Sequence, residues 1–153
     1  MSLKNEKLCQ RIAKSIRKNS AVLVTAGAGI GIDSGLPDFR GKEGLWKAYP
    51  YFKDVNMSFS DAANPNFFSA RPQHFWFFYG HRYNSYQEHS PHKGFKILLE
   101  ICSEFKNDDY FVYTSNVDGH FQKAGFPESK IIECHGSINH YQCSNCHIIY
   151  PGT

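Results

Sequence analysis

Residues 21–41 read AVLVTAGAGIGIDSGLPDFRG. A short apolar run, Ala21 to Thr25, breaks into three glycines at alternate positions, Gly27, Gly29 and Gly31. This predicts a buried strand ending in a Gly-rich turn, an arrangement that brings bare backbone N–H groups close to a ligand. A plain strand-to-helix turn explains the glycines about as well, and Ile32 stands where a full G-x-G-x-x-G fingerprint has its third glycine. The tail decides between the two. A structural turn has no use for Asp38, Phe39 and Arg40 in a row.

The flanking segments supply the rest of the fold. Upstream, Leu8, Ile12 and Ile16 recur every four residues, with Cys9 and Ala13 alongside; this predicts an amphipathic first helix stopping near Asn19. Downstream, the chain reads as irregular to about residue 64, with aromatics (Trp46, Tyr49, Tyr51, Phe52, Phe59) that argue against disorder. Asn64-Pro65 reads as a helix start. Residues 72–88 form an aromatic-rich helix. Ser90-Pro91 reads as an N-cap with proline at the first helical position, ahead of helical spacing at Phe95, Leu98, Leu99, Cys102 and Phe105. Tyr110 to Thr114 and Ile131 to Cys134 read as a second and third strand. Strand, helix and strand alternate, so the predicted class is α/β with a parallel sheet.

Composition sets the broad class. The chain has 153 residues, enough for one domain with a real core. Hydrophobic residues at 41% and charged residues at 20% fit a globular protein. A net charge of +3, scattered along the chain, argues against a nucleic-acid partner. The N-terminus is polar and mixed in charge, and no apolar stretch reaches membrane-spanning length, so neither export nor a membrane partner is expected. The expected location is the cytoplasm, where the five cysteines are thiols or metal ligands.

Three further clusters carry chemistry. TSNVDG, residues 114–119, puts Ser115, Asn116 and Asp118 at the end of the second strand, where ligands bind in open parallel sheets. Turn-forming habit alone explains Asp118-Gly119 well and Ser115-Asn116 less well. IIECHGSINH, residues 131–140, sets His135 at the end of the third strand, beside Gly136. Histidines exchange protons near neutrality, so one placed there can act as a base, although it is one of eight in the chain. Cys143 and Cys146 form a C-x-x-C pair, either half of a four-ligand zinc site or a redox pair. His140 and His147 lie nearby.

Read together, GAGIGIDSGLPDFRG, T-S-N-V-D-G, E-C-HGS and C-x-x-C resemble the sirtuins, NAD-dependent protein-lysine deacylases, in motif order and spacing from about residue 12 to the end. The resemblance implies a Rossmann-like parallel sheet over residues 1–137 and the start of a small zinc-binding module over 138–153. It implies NAD contacts from Gly27, Ala28, Gly29, Ile30, Asp38, Phe39, Arg40, Trp46, Ser115, Asn116, Val117 and Asp118. Arg40 would face phosphate and Phe39 the nicotinamide ribose. Asn116 would contact ribose and position water, and Val117 with Asp118 would hold the nicotinamide carboxamide. His135 would be the catalytic base, with Asn116 and Asp118 assisting. Cys143 and Cys146 would be zinc ligands. The partner would be an acylated-lysine protein or peptide, and Tyr79 with Arg82 resembles the Y-x-x-R pair of sirtuins that remove acidic acyl groups. An aromatic-rich helix is usually core, which is the competing account of that pair.

The chain departs from the family at several points and resembles a divergent bacterial-type branch. Gly31 replaces a usual serine and Ser115 a usual glutamine, while His120 and Phe121 stand where Leu and His are expected. The second cysteine pair and the later strands of the family are missing from the sequence. The expectation is therefore an incomplete catalytic domain that binds NAD weakly and turns over slowly. Competing readings are an NAD glycohydrolase or ADP-ribosyltransferase, and a non-enzymatic module for NAD or ADP-ribose. A hydride-transferring dehydrogenase leaves PDFRG without a role.

Overall fold

β-Branched and aromatic residues build the sheet. Val22–Ala26 (β1), Tyr110–Thr114 (β2) and Ile131–Glu133 (β3) pair in the order β1-β2-β3, all parallel. Val24 lies opposite Val112, and Val112 opposite Ile131. The computed structural model describes residues 3–15, 21–37, 42–105 and 109–152. Asp38, Phe39 and Arg40 therefore lie outside the described residues, as does Asn19, the expected stop of the first helix. No helix among the described residues is long and apolar enough to cross a membrane.

The strands fall within a residue of their expected positions, but their burial differs from expectation. One face is covered. Tyr110, Val112, Phe121 and Phe126 pack there with Phe95 and Cys102 of the helix Lys93–Ser103. On the other face Leu23 is 64% exposed, and Tyr113 and Ile132 are about half exposed. The expected buried first strand is thus half covered: β1 is an edge strand, and its alternate residues face away from the helix. The first helix, Leu3–Ser15 (α1), likewise keeps Leu8 and Ile12 half exposed.

A second core is helical. The region read as irregular contains Lys42–Ala48 (α2), Pro50–Asp54 (α3) and Phe59–Ala62 (α4). These are too short to show a hydrophobic period and are fixed by packing instead. Leu45, Tyr49, Phe52 and Ala62 meet Phe78 and Tyr86 from the long helix Pro72–Glu88 (α6). Tyr49 stacks on Phe52 with centroids 5.1 Å apart and meets Phe78 at 5.5 Å. Its hydroxyl lies 2.8 Å from His81 Nδ1, and burial pushes the phenol well above its ordinary pKa. Phe67–Ala70 (α5) starts two residues beyond the expected Asn64-Pro65, because Asn64 Oδ1 first closes a turn by accepting from Asn66 N.

The helix Lys93–Ser103 (α7) also begins later than Ser90-Pro91 suggests. Its cap is His92, whose Nδ1 accepts from Gly94 N at 3.0 Å. The remaining elements include His120–Lys123 (α8), a 3-10 turn at Glu128–Lys130 and an antiparallel hairpin of His140–Gln142 (β4) and Ile149–Pro151 (β5).

Candidate functional site

A cavity of about 1300 Å³ lies at the C-terminal ends of the parallel strands, between the sheet and the helical core. Its polar wall is assembled by hydrogen bonds that stitch β1 to β2. Thr114 Oγ1 donates to Ala26 O at 3.2 Å, and Asn116 N donates to Thr114 Oγ1 at 3.0 Å. Asn116 Nδ2 donates to Gly27 O at 3.1 Å, and Ser115 N to Ala26 O. Asp118 Oδ1 accepts from His120 N at 2.9 Å. Asn116 and Asp118 are both buried yet line the cavity. Burial of such groups without partners is unfavourable, so these bonds fix their orientation.

The Gly-rich turn forms a 3-10 helix, Ala28–Ser34, whose residue Ala28 lines the cavity. The three glycines differ in role. A Cβ on Gly29 would meet open space. Gly31 is buried, and a Cβ there would lie 3.1 Å from Leu36 Cδ1 and 3.8 Å from Asp118 Oδ2. Gly31 therefore has a packing role of its own. The demanding position is Gly35. Its φ of 86° ends the 3-10 helix in the left-handed region, and a Cβ would crowd the His89 ring at 2.9 Å. That is a backbone reason for the SG pair ahead of PDFRG.

His135 reaches the same cavity from the end of β3, on a turn closed by Gly136 N to Glu133 O. It is exposed. Glu133, the last residue of β3, takes a 3.1 Å hydrogen bond from Gln122 Nε2. Burial raises its carboxyl pKa and the Asp118 charge adds to the rise, while the Gln122 bond opposes it. Sequence reasoning passed over Thr114 and Glu133. Both lie inside the quoted motifs, and their hydrogen bonding is what gives them a role.

The opposite wall is α6. Tyr79 and Arg82 both line the cavity, one helical turn apart. Arg82 is buried, with its guanidinium 5.2–6.0 Å from the ring centroids of Phe59, Phe78, Tyr79 and Tyr86. Its Nε and Nη2 donate to Tyr86 Oη at 3.2 and 2.7 Å. Tyr79 Oη donates to Ala63 O at 3.4 Å.

Other predicted residues fall outside this convergence. Trp46 packs in the helical core, donating Nε1–H to Met57 O at 3.0 Å, and does not line the cavity. Ile30 packs against the sheet core, and its carbonyl faces His92 Nε2 at 3.0 Å.

Cys143 and Cys146 sit on the β4–β5 hairpin, where Cys143 N donates to Ile148 O and His147 N to Cys143 O. Hydrogen bonds from the Cys146 and Asn145 backbone, then from the Cys146 side chain, lower the Cys143 thiol pKa. Two thiols suit half of a tetrahedral zinc site. No group of three or more His, Cys, Asp or Glu able to hold a metal occurs among the described residues. These residues alone do not fit a closed zinc centre.

Residues 27–153 match the Sir2 family. An NAD-dependent protein deacylase of Aquifex aeolicus is 36% identical over 84% of this chain and 49% of its own length. A solved triple-mutant Sir2 homologue in complex with 2'-O-acetyl ADP ribose superposes with a TM-score of 0.72 at 29% identity, over 93% of this chain and 52% of that one. A Sir2 homologue in complex with NAD gives 0.70 at 31% identity, over 95% of this chain and 51% of that one. The chain spans about half the length of the relatives it matches. With residues 27–153 matching the family and the chain superposing on solved Sir2 homologues, the chain belongs to the Sir2 family.

Proposed function

We propose that this cavity binds NAD and an acylated lysine of a protein or peptide, and that the chain serves NAD-dependent lysine deacylation. The reaction would yield nicotinamide, free lysine and O-acyl-ADP-ribose. One observation carries the reading: Ala28, Ser115 to Asp118 and His135 share a single cavity with Tyr79 and Arg82. In this reading a cofactor wall and a substrate wall face the same space. The activity in the name of the Aquifex relative, and the ligands of the two solved homologues, point the same way.

NAD supplies the bond between nicotinamide and ribose whose cleavage drives the transfer. In this reading Gly27, Ala28 and Gly29 receive phosphate and ribose, with Ile30 holding the turn. Asp38, Phe39 and Arg40 join them on the strength of sequence alone. Val117 and Asp118 hold the carboxamide, the carboxylate accepting from its N–H. Asn116, fixed through Gly27 O, contacts ribose, and Ser115 lines the same side. Oriented dipoles of this kind favour the positive charge that builds as nicotinamide leaves. His135, exposed at the cavity edge, accepts a proton from a ribose hydroxyl. Arg82 and Tyr79 contact the acyl group, and the buried guanidinium favours one with a terminal carboxylate. The hairpin cysteines take no part in the chemistry. They would supply two zinc ligands, with the remaining ligands coming from outside the described residues.

Incubation with NAD and an acetyl- or succinyl-lysine peptide, followed by mass spectrometry, tests the reading. O-acyl-ADP-ribose should form only when the acyl peptide is present. Free ADP-ribose formed at the same rate without peptide would identify an NAD glycohydrolase instead. His135→Ala should lower product formation by about 10²- to 10⁴-fold and leave NAD binding in place. Unchanged turnover in that variant would remove His135 from the mechanism.

A further inference from the structure

Behind Asp118 sits a histidine that the proposed chemistry does not use. His120 opens α8 and is 0% exposed. It does not line the cavity. Neither Nδ1 nor Nε2 makes a hydrogen bond of good geometry, and the His89 backbone offers the ring only a weak one. A neutral imidazole carries one donor and one acceptor, and leaving them poorly met in the interior is unfavourable compared with an apolar side chain of similar size. Packing alone therefore gives no reason for histidine here.

Its surroundings point to Asp118. The His120 ring meets Phe95 edge-on with centroids 5.7 Å apart. The charged and titratable groups facing it are the Asp118 carboxylate, the Lys123 ammonium and His89. Lys123 Nζ donates to Tyr86 O at 2.6 Å, and His89 Nδ1 lies 2.6 Å from Ser85 O, so both are engaged elsewhere. Asp118 is engaged by His120 itself, through the 2.9 Å bond from the His120 backbone N–H. Gly119 makes this possible. With φ at 69° it turns the chain so that α8 starts directly beneath the carboxylate.

We propose that His120 is a positioning residue that makes the Asp118 end of the cavity acid-sensitive. With the ring neutral, Asp118 is available to an amide donor of a ligand. With the ring protonated, the imidazolium takes the carboxylate as its partner and the ligand is released. The proposal rests on Asp118 as a ligand-holding residue. Burial lowers the His120 pKa, Lys123 and the His89 ring lower it further, and Asp118 together with the His89 backbone opposes them. The neutral form therefore prevails at neutral pH, and the switch lies on the acid side.

The probe is nicotinamide, whose ring stays uncharged over the range used. It is titrated calorimetrically into the 153-residue chain from pH 8 to pH 5, alongside His120→Leu and, should that variant fold poorly, His120→Gln. In the unaltered chain affinity should fall by up to about tenfold per pH unit below the His120 transition. The variant should lack that fall, while any contribution from Glu133 remains in both. Identical profiles would overturn the inference. NMR of the His120 ring gives an arm independent of nicotinamide: Asp118→Asn should move the ring's titration to lower pH. Absence of that movement overturns the proposal even if nicotinamide binds. Movement of the ring without nicotinamide binding at any pH would instead overturn the reading of the cavity.

Discussion

The two walls of the cavity are built on different physics. The strand-end wall holds its polar groups by hydrogen bonds at the end of a parallel sheet: Thr114 and Asn116 donate to the carbonyls of Ala26 and Gly27, and Asp118 accepts from the amide of His120. The helical wall holds a guanidinium by ring stacking and one phenol on the 17-residue α6, which packs against helices of four to seven residues that have no stability of their own. The first wall is fixed by hydrogen bonds that involve backbone groups of the sheet and its following turns. The second depends on how several short helices pack. Changes at the strand ends should therefore alter chemistry with little loss of fold, whereas changes under α6 should alter both.

The largest expected effect tests that dependence. Phe78 is fully buried at the junction of α2, α3, α4 and α6, and it also lies under Arg82. Phe78→Ala should lose about 3–5 kcal/mol in denaturant unfolding. A loss below about 1 kcal/mol would mean that the helical wall does not rest on this core. Next in size is Arg82→Met, which keeps apolar contact with the rings and removes the charge. Desuccinylation should fall roughly 10- to 100-fold relative to deacetylation, the range expected for losing a charge-assisted hydrogen bond. Stability should stay close to that of the parent, because the methionine removes the desolvation of a buried cation. An unchanged acyl preference would assign Arg82 to packing alone.

The same contrast explains what could be read in the sequence. The three strands, α6 and α7 were legible because apolar runs and helical spacing report local structure. The strand-end polar residues were legible because ligands gather at the ends of parallel strands. The short helices α2, α3 and α4 were not, since Leu45, Tyr49 and Phe52 acquire their burial from Phe78, some 26 to 33 residues away in the chain. His92 as the cap of α7 depends on a side-chain bond that no capping preference favours. The open sheet face was hidden for a related reason. Leu23, Tyr113 and Ile132 are the residues of a strand buried on both sides, and composition alone does not say which side is covered. His120 stood out in the sequence only as a departure from the family pattern, and its burial is what makes it conspicuous.

The smallest expected effect probes the strand-end wall without touching its hydrogen bonds to the backbone. Burial and the neighbouring Asp118 raise the folded-state pKa of Glu133 above its unfolded value. The native state therefore holds this proton longer than the unfolded chain does. Its contribution to stability is fully present below the unfolded value, near pH 4.5, and is lost as pH rises through the folded value. Glu133→Gln keeps the size of the side chain, keeps an oxygen for Gln122 Nε2 and cannot ionise. Its melting temperature should match the parent at pH 4 and exceed it at pH 7–8 by no more than about 3 °C, since solvent screens a partly exposed group. A variant less stable than the parent at pH 8 would mean that the ionised carboxylate is itself a favourable partner in this wall, and that Gln122 outweighs the combined effect of burial and Asp118.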